Sequence, residues 1–401
     1  MKEIVITNPL RTPNGGFGGA FKTVPAYDLA KIVMQRVIVD AGIDPGQLDE
    51  VIFGNCANPS EALNIARVAA IYAGIPEHVT AYTVSRNCAS SIQAITAAYQ
   101  SIQTGDGELY LVGGTENMSL IPYIIKGARW GLKMRHAELT DGLWEGLTDP
   151  TCNLIMGATA ENLAEQYSVT REAQDQFAVN SHKKAFMATR MGKFKDEIVP
   201  VEVVKKAAGQ EVAKETITQD ESINPGLTVQ KAALYPTVFK TGGTVTPANA
   251  CSTNDGAAAM LVTTAERAQA LGLTPVARIL GYGFTGVSPA YMGIGPATAL
   301  PKALARAGLK YEQLDLVELN EAFAAQSLAV GIKMTQDGHG WGWEKTNVNG
   351  GAIALGHPVG QSGARIVVTL LHEMKRRGSR YGAATLCVGG GQGAAVVVER
   401  L

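Results

Sequence analysis

The chain of 401 residues is long enough for two or three domains. Hydrophobic residues make up 46% and charged residues only 18%, which implies a large shared core and a surface partly covered by another subunit. Lys and Arg number 35 against 36 Asp and Glu, a net charge of -1, so no global electrostatic case exists for nucleic acid or an anionic membrane, and only a local basic patch for a phosphorylated ligand is left open.

The first residues, Met-Lys-Glu-Ile-Val-Ile-Thr, contain no signal-type apolar region. No apolar run approaches the ~20 residues that span a bilayer. The five cysteines, Cys56, Cys88, Cys152, Cys251 and Cys387, are odd in number and widely spaced. They predict neither a disulfide framework nor a metal site, and they point to a cytoplasmic protein in which a cysteine of interest is a nucleophile or a core residue.

The pattern predicts a helix over 26–41, a Gly-containing loop and a strand over 49–54. A helix over 88–103 and a strand over 108–113 follow. Residues 120–250 show little periodicity apart from a helix capped by Thr170 that runs to about Met191 and stops at Gly192. This stretch is expected to be an inserted, loop-rich segment. A helix over 298–308 and a strand over 314–319 come next, then a helix over 361–377 with apolar residues at Ile366, Val367, Leu370, Leu371 and Met374. The chain finishes as a hairpin, 383–388 and 394–398, around a glycine-rich turn. Strands alternating with helices imply a helix-covered sheet.

Part of this pattern occurs twice. AGIDPGQLDEV at 41–51 matches AGLKYEQLDLV at 307–317 in six of eleven positions, and Leu111-Val112-Gly113-Gly114 resembles Cys387-Val388-Gly389-Gly390. The nearly equal offsets predict a duplicated domain.

Cys88, in SRNCASSIQAI, stands where an extended segment gives way to a helix. The positive end of a helix favours thiolate, so Cys88 is a candidate nucleophile, with a buried structural cysteine as the alternative. His357, in NGGAIALGHPVGQSGA, lies in a glycine-dense loop where backbone must approach something closely, and it is either a base near neutral pH or an ordinary loop histidine. Asn320, in NEAFAAQ, follows a strand and could serve a site or cap the next helix. Gly389–Gly393 is not a dinucleotide loop, because no helix is expected after it.

Together, NCASS, NEAFAAQ, GGAIALGHPVGQSGAR and CVGGGQGAA look like the four active-site signatures of the thiolases, and the resemblance runs from Arg11-Thr12-Pro13 to the C-terminus. It implies an α/β, thiolase-like duplicated fold in α-β-α-β-α layers. Residues 1–120, continued by about 251–273, would form one half and 274–401 the other, with an inserted loop domain at 121–250 for CoA. It implies an acyltransferase that cleaves 3-ketoacyl-CoA by thiolysis, or condenses acyl-CoA with acetyl-CoA, in fatty acid metabolism or β-oxidation. Cys88 would be the acylated nucleophile, His357 its base and Cys387 the acid or base at the α-carbon. His357 with an Asn320-held water would form one oxyanion hole, and the N–H groups of Cys88 and Gly389 the other. Met156, Met292 and Phe323 would line the acyl end, Phe239 would pack on pantetheine, and Cys251 and Lys231 would lie along CoA. Coenzyme A would be a substrate, with no cofactor or metal, and the assembly a homodimer or homotetramer. A decarboxylating ketoacyl synthase and a degenerate CoA- or lipid-binding module of the same fold are the rivals.

Two departures from the family pattern bear on substrate preference. Biosynthetic acetoacetyl-CoA thiolases have His-Met-Gly where this chain has Ile155-Met156-Gly157, and a serine is common where NACSTNDGAAA places Cys251. Both changes remove polar contacts near the ligand.

Overall fold

The protein was analysed as a computed structural model that describes residues 2–134, 136–207 and 210–401. Its largest feature is a sheet of ten strands. One half of the main path runs in the order Ile4–Arg11, Asn254–Thr264, Leu109–Asn117, Glu50–Gly54 and Thr80–Val84. The other runs Ala277–Gly286, Gln392–Arg400, Tyr381–Val388 and Leu316–Leu319. Within the sheet, the halves are paired through Val5 opposite Arg278 and Ile6 opposite Ala277.

In both halves two antiparallel pairings are followed by a parallel one. The fifth strand of the first half has no full counterpart in the second, where a single bridge joins Val317 to Thr346. The AG…QLD repeat has a direct structural cause. Helices Ala26–Ala41 and Pro296–Ala307 both end on a glycine with positive φ, Gly42 at 65° and Gly308 at 68°, where a side chain would be strained. Asp49 then accepts the N–H groups of Glu108 and Leu109, and Asp315 those of Arg380 and Tyr381. Each carboxylate thereby fixes the start of the neighbouring strand.

These contacts also correct the second sequence match. Leu111 lies opposite Val51, and Ala383 lies opposite Val317, so Leu111 corresponds to Ala383 rather than to Cys387. The Leu111–Gly114 and Cys387–Gly390 match is four residues out of structural register. Two adjacent glycines at different places on equivalent strands produced it.

The pleat sends alternate side chains to different layers. Ile4, Ile6, Tyr110 and Val112 join a central core with helices Ser90–Thr104 and Ser362–Arg377 and with Ala384, Leu386 and Val396 of the second half. Val5, Leu109 and Leu111 face the other way, onto helices Ala26–Ala41 and Ile65–Tyr72. Ala383, Ala395 and Val397 face helices Pro296–Ala307 and Ala324–Gln336. Five layers result, with two helices in the middle one. Among the described residues, no helix is long and apolar enough to cross a membrane.

Residues 118–253 lie between two strands that are neighbours in the sheet, Leu109–Asn117 and Asn254–Thr264. The segment holds more regular structure than expected. Thr170 caps Arg171–Arg190 by accepting the Ala173 N–H, and Gly192 follows with φ 70°. The unexpected elements are helix Met156–Gln166 and the hairpin Val201–Ala207 with Gln210–Ile217. The helix buries one large apolar side chain, Leu163, with Glu161 and the small residues Gly157, Thr159, Ala160 and Ala164, so its inner face gives little hydrophobic contrast.

A buried ion network ties this segment to both halves. Arg11 donates to Glu197 at 2.7 Å and to both oxygens of Asp220 at 2.7 and 3.0 Å. Thr369, on the central helix of the second half, donates to Glu197 at 3.0 Å. All of these side chains are buried. Removing one partner of a buried pair strands the others. Arg11→Met is therefore expected to lower unfolding free energy by about 3–5 kcal/mol. Urea denaturation measures this, and a loss near zero would show that the network holds nothing together.

Candidate active site

The segment leading to Cys88 is set by backbone geometry. Asn87 has φ 44°, a left-handed conformation that asparagine tolerates well. Ser90 locks the turn, accepting from Arg86 N–H at 2.9 Å and donating to Asn87 carbonyl at 2.7 Å. Helix Ser90–Thr104 begins at once, so Cys88 stands at its N-terminus as expected. The Asn87 amide reaches the second half and donates to Gly389 carbonyl at 2.9 Å. The N–H groups of Gly389 and of Cys88 itself point at the Cys88 sulfur. Gly389 leaves little room, since a Cβ there would lie 3.2 Å from Asn87 Nδ2 and 3.6 Å from Met156 Sδ.

The expectation of a helix-favoured thiolate needs correction. Burial pushes the Cys88 thiol up to about 11, against the pull of those N–H groups. Loss of solvation outweighs a helix terminus, which contributes at most ~2 kcal/mol. Burial thus favours the thiol over the thiolate at the resting sulfur.

Cys387 lies near the end of strand Tyr381–Val388 and is fully buried. Burial raises its thiol well above the ordinary range, and negative charge on Cys88 or Cys251 would raise it further. Cys251 is pushed up to about 12 by burial and then by Cys88. The three sulfurs thus share one site in which a charge on one opposes a charge on the next. Cys56 is near as well, its thiol 3.2 Å from Asn87 carbonyl and 3.3 Å from Ser90 Oγ.

His357 lies on a loop that meets the segment just after Cys251. Its N–H donates to Asn254 Oδ1 at 3.0 Å, and it forms a bridge with Thr253. Two residues earlier, Cys251 donates its N–H to Ala322 carbonyl at 3.0 Å, and Ala250 pairs with Phe323. One short segment, 250–254, therefore joins the asparagine loop to the histidine loop. The histidine loop also packs on the Cys88 helix, where Ala364 N–H donates to Ser91 Oγ at 2.8 Å. Burial, and then the charge of Arg365, lower His357 to about 3. The resting imidazole is neutral and can accept a proton.

Asn320 is not a helix cap. The next helix, Ala324–Gln336, begins after Phe323 with no side-chain cap. The Asn320 backbone donates to Thr385 carbonyl at 3.0 Å, which sets the loop beside the Cys387 strand. Both polar atoms of its side chain are buried and, among the described residues, have no hydrogen-bond partner. Such a group calls for a polar ligand or water.

Met292, Phe323 and Cys387 belong to one apolar cluster, with Met156, Phe239 and Ala250 packed against it. The Phe239 and Phe323 rings meet edge to face at 6.2 Å. Gly157 makes room for Phe239, since a Cβ there would lie 2.3 Å from its ring. Lys231 stands apart, with its ammonium donating to Gly226 carbonyl at 2.9 Å on the surface.

Two carboxylates that the sequence did not single out hold these loops. Glu116 accepts from Asn55 Nδ2 and from the N–H groups of Cys56, Ala57 and Gly360, joining the two halves. Glu321 accepts from Ser181, Asn347 and Ile353 N–H, joining the middle segment to the second half. Their only sequence signal is position inside GTENMS and NEAFAAQ.

The histidine has a pH consequence. Unfolded His357 takes up a proton near its ordinary 6.5, while the native residue stays neutral down to about 3. It therefore withdraws stability as pH falls from 6.5 toward 3. His357→Asn is expected to flatten the decline of urea midpoint between pH 7 and 4. Burial lowers His182 to about 4, so part of the decline will remain. Identical slopes in variant and wild type would show that His357 is not held neutral.

Comparison with known proteins gives the same picture. The models for the thiolase N-terminal and C-terminal domains match residues 4–266 and 273–400. An acetyl-CoA acetyltransferase of Pseudomonas aeruginosa is 49% identical over 401 residues, covering 100% of both chains. The crystal structure of the Bacillus anthracis acetyl-CoA acetyltransferase superimposes with a TM-score of 0.96 at 45% identity, covering 100% of this chain and 99% of that one. Human mitochondrial 3-ketoacyl-CoA thiolase in complex with CoA superimposes with a TM-score of 0.93 at 40% identity, covering 100% and 98%. With both domains matched, in order and across nearly its whole length, the chain belongs to the thiolase family.

Proposed function

We propose that this acyltransferase cleaves 3-ketoacyl-CoA with CoA and, in reverse, condenses an acyl-CoA with acetyl-CoA, carrying the acyl group on Cys88. The observation that supports it most is the grouping of three thiols, partly buried Cys88 and Cys251 and buried Cys387, beside the loops that carry His357 and the unpartnered amide of Asn320.

In cleavage, the Cys88 sulfur bonds to the 3-keto carbon as its proton passes to His357. The N–H groups of Cys88 and Gly389 hold the oxygen that becomes negative. The C2–C3 bond then breaks, and its electrons move to the thioester oxygen, held by His357 and an Asn320-bound water. Cys387 gives its proton to C2 and is reprotonated by the proton that His357 took from Cys88, and acetyl-CoA leaves. The sulfur of the second CoA, losing its proton to His357, then attacks the acyl carbon, and the expelled Cys88 sulfur takes that proton back. A thioester intermediate keeps both directions accessible. Donors aimed at a developing oxyanion each contribute about 10²–10³ in rate.

In this reading, residues 1–120 with 251–273 and residues 274–401 are the two halves, and 121–250 carries CoA. Phe239 and Cys251 lie along pantetheine, Met156, Met292 and Phe323 line the acyl end, and exposed Lys231 is available to the nucleotide. Ile155 and Cys251, in place of polar residues near the ligand, argue against a strict acetoacetyl-CoA preference. A cytoplasmic role in fatty acid metabolism or β-oxidation fits this reading. A ketoacyl synthase is disfavoured by a thiol at 387, and a bare binding module by the complete catalytic set.

Cys88→Ala is expected to reduce thiolysis of acetoacetyl-CoA and longer 3-ketoacyl-CoA by at least about 10³-fold. Retained turnover would remove the nucleophile assignment.

The assembly is a homodimer or homotetramer. The hairpin Tyr123–Ile125 with Leu139–Asp141 carries exposed apolar residues, and nearby Trp130 and Met134 are 85% and 96% exposed. A monomer rarely leaves such a patch uncovered. Light scattering should give two or four copies, and a single-chain mass would overturn this.

A further inference from the structure

Ser362 is the first residue of the central helix Ser362–Arg377 and is fully buried. Its hydroxyl oxygen lies 2.5 Å from His357 Nδ1 and 2.7 Å from the carbonyl oxygen of Pro358. A serine hydroxyl has one proton to give. Two oxygens at 2.7 Å repel unless a proton lies between them, so the hydroxyl proton belongs to the Pro358 carbonyl. The helix start holds that carbonyl in place, since it also accepts the N–H groups of Gln361 at 3.1 Å and Ser362 at 3.0 Å. The serine oxygen is then left as an acceptor, and Nδ1 must carry the ring proton.

Nε2, the other ring nitrogen, is left with a free lone pair. It has no hydrogen-bond partner among the described residues. Arg365, on the helix that follows, is the charged group that acts on this ring, and it lies 3.5 Å from Glu318 of the neighbouring strand. Neither bonds to the imidazole.

We propose that Ser362 is a positioning residue that fixes His357 in the Nδ1–H tautomer, so that Nε2 presents its lone pair to the thiol proton of Cys88 or of incoming CoA. The inference deepens the assignment of His357 as base and rests on it. When Nε2 takes a proton, Nδ1–H keeps its bond to the serine oxygen, and the Pro358 carbonyl dipole behind it faces the new positive charge. Without the hydroxyl the ring divides between two tautomers. The Nε2–H form would offer a donor where an acceptor is required.

The test compares wild type, Ser362→Ala and Ser362→Thr as full-length enzymes labelled with [15N]histidine. The His357 signals are assigned by their loss in His357→Gln. Solid-state NMR should show a protonated Nδ1 and a bare Nε2 in wild type and in Ser362→Thr, and a mixture or the reverse in Ser362→Ala. Alkylation of Cys88 by iodoacetamide at neutral pH should slow by roughly 10–100-fold in Ser362→Ala, the size of effect known for metal-ligating histidines that lose an outer hydrogen-bond partner. Thiolysis kcat should fall in parallel with little change in KM, and threonine should restore most of both. A protonated Nε2 in wild type overturns the proposal, and that measurement needs no variant to fold. So does a kcat loss in Ser362→Ala with unchanged nitrogen signals, or one that threonine fails to restore, because either marks simple packing. If His357→Gln is alkylated as fast as wild type, the base assignment falls, while the nitrogen signals still decide the role of the serine.

Discussion

Exclusion of water from one small volume governs this molecule's chemistry. Burial is the largest influence on Cys88, Cys251, Cys387 and His357, and in each case it favours the uncharged form. A site built from such groups carries no ion pair at rest. Charge appears only with substrate, and it appears where N–H groups and the Asn320 amide are already placed. The hydrogen-bonding groups are therefore fixed in advance, so no solvent has to reorganise as the bonds change.

The duplicated scaffold explains how the groups arrive there. Helices Ser90–Thr104 and Ser362–Arg377 occupy equivalent places in the two halves and share the central layer. The chain enters the first through Cys88 and the second through His357 and Gly360. One ancestral position, the loop ahead of the central helix, has thus taken two different tasks. The strand ends after Cys387 and before Asn320 are likewise neighbours through the parallel pairing of Leu316–Leu319 with Tyr381–Val388. Glu116, Glu321 and the Arg11 network hold the loops at fixed distance, each by bridging parts of the chain that are remote in sequence.

Much of this was legible in the sequence, for identifiable reasons. Chemistry-bearing residues sat in long motifs, and the QLD repeat recorded a capping carboxylate that each half requires. Helix 361–377 announced itself through large apolar side chains at helical spacing. What stayed hidden depended on packing. The helix Met156–Gln166 buries a single large apolar side chain, Leu163, among small and polar ones and offers little contrast. The glycine pair at 113–114 imitated that at 389–390, although strand pairing sets them four residues apart. The helix-end thiolate expected at Cys88 failed because local sequence shows the helix and not the loss of water around the sulfur. Ser362 lay in plain view inside GHPVGQSGAR, yet only the two short distances to its oxygen give it a role.

The strand Thr80–Val84 lies at the outer edge of the sheet, half exposed and paired on one side only. Within four residues of its end the chain reaches Cys88. Any polypeptide that docked along this border would grip the backbone that aims the nucleophile, so quaternary contacts and sulfur reactivity would be mechanically linked.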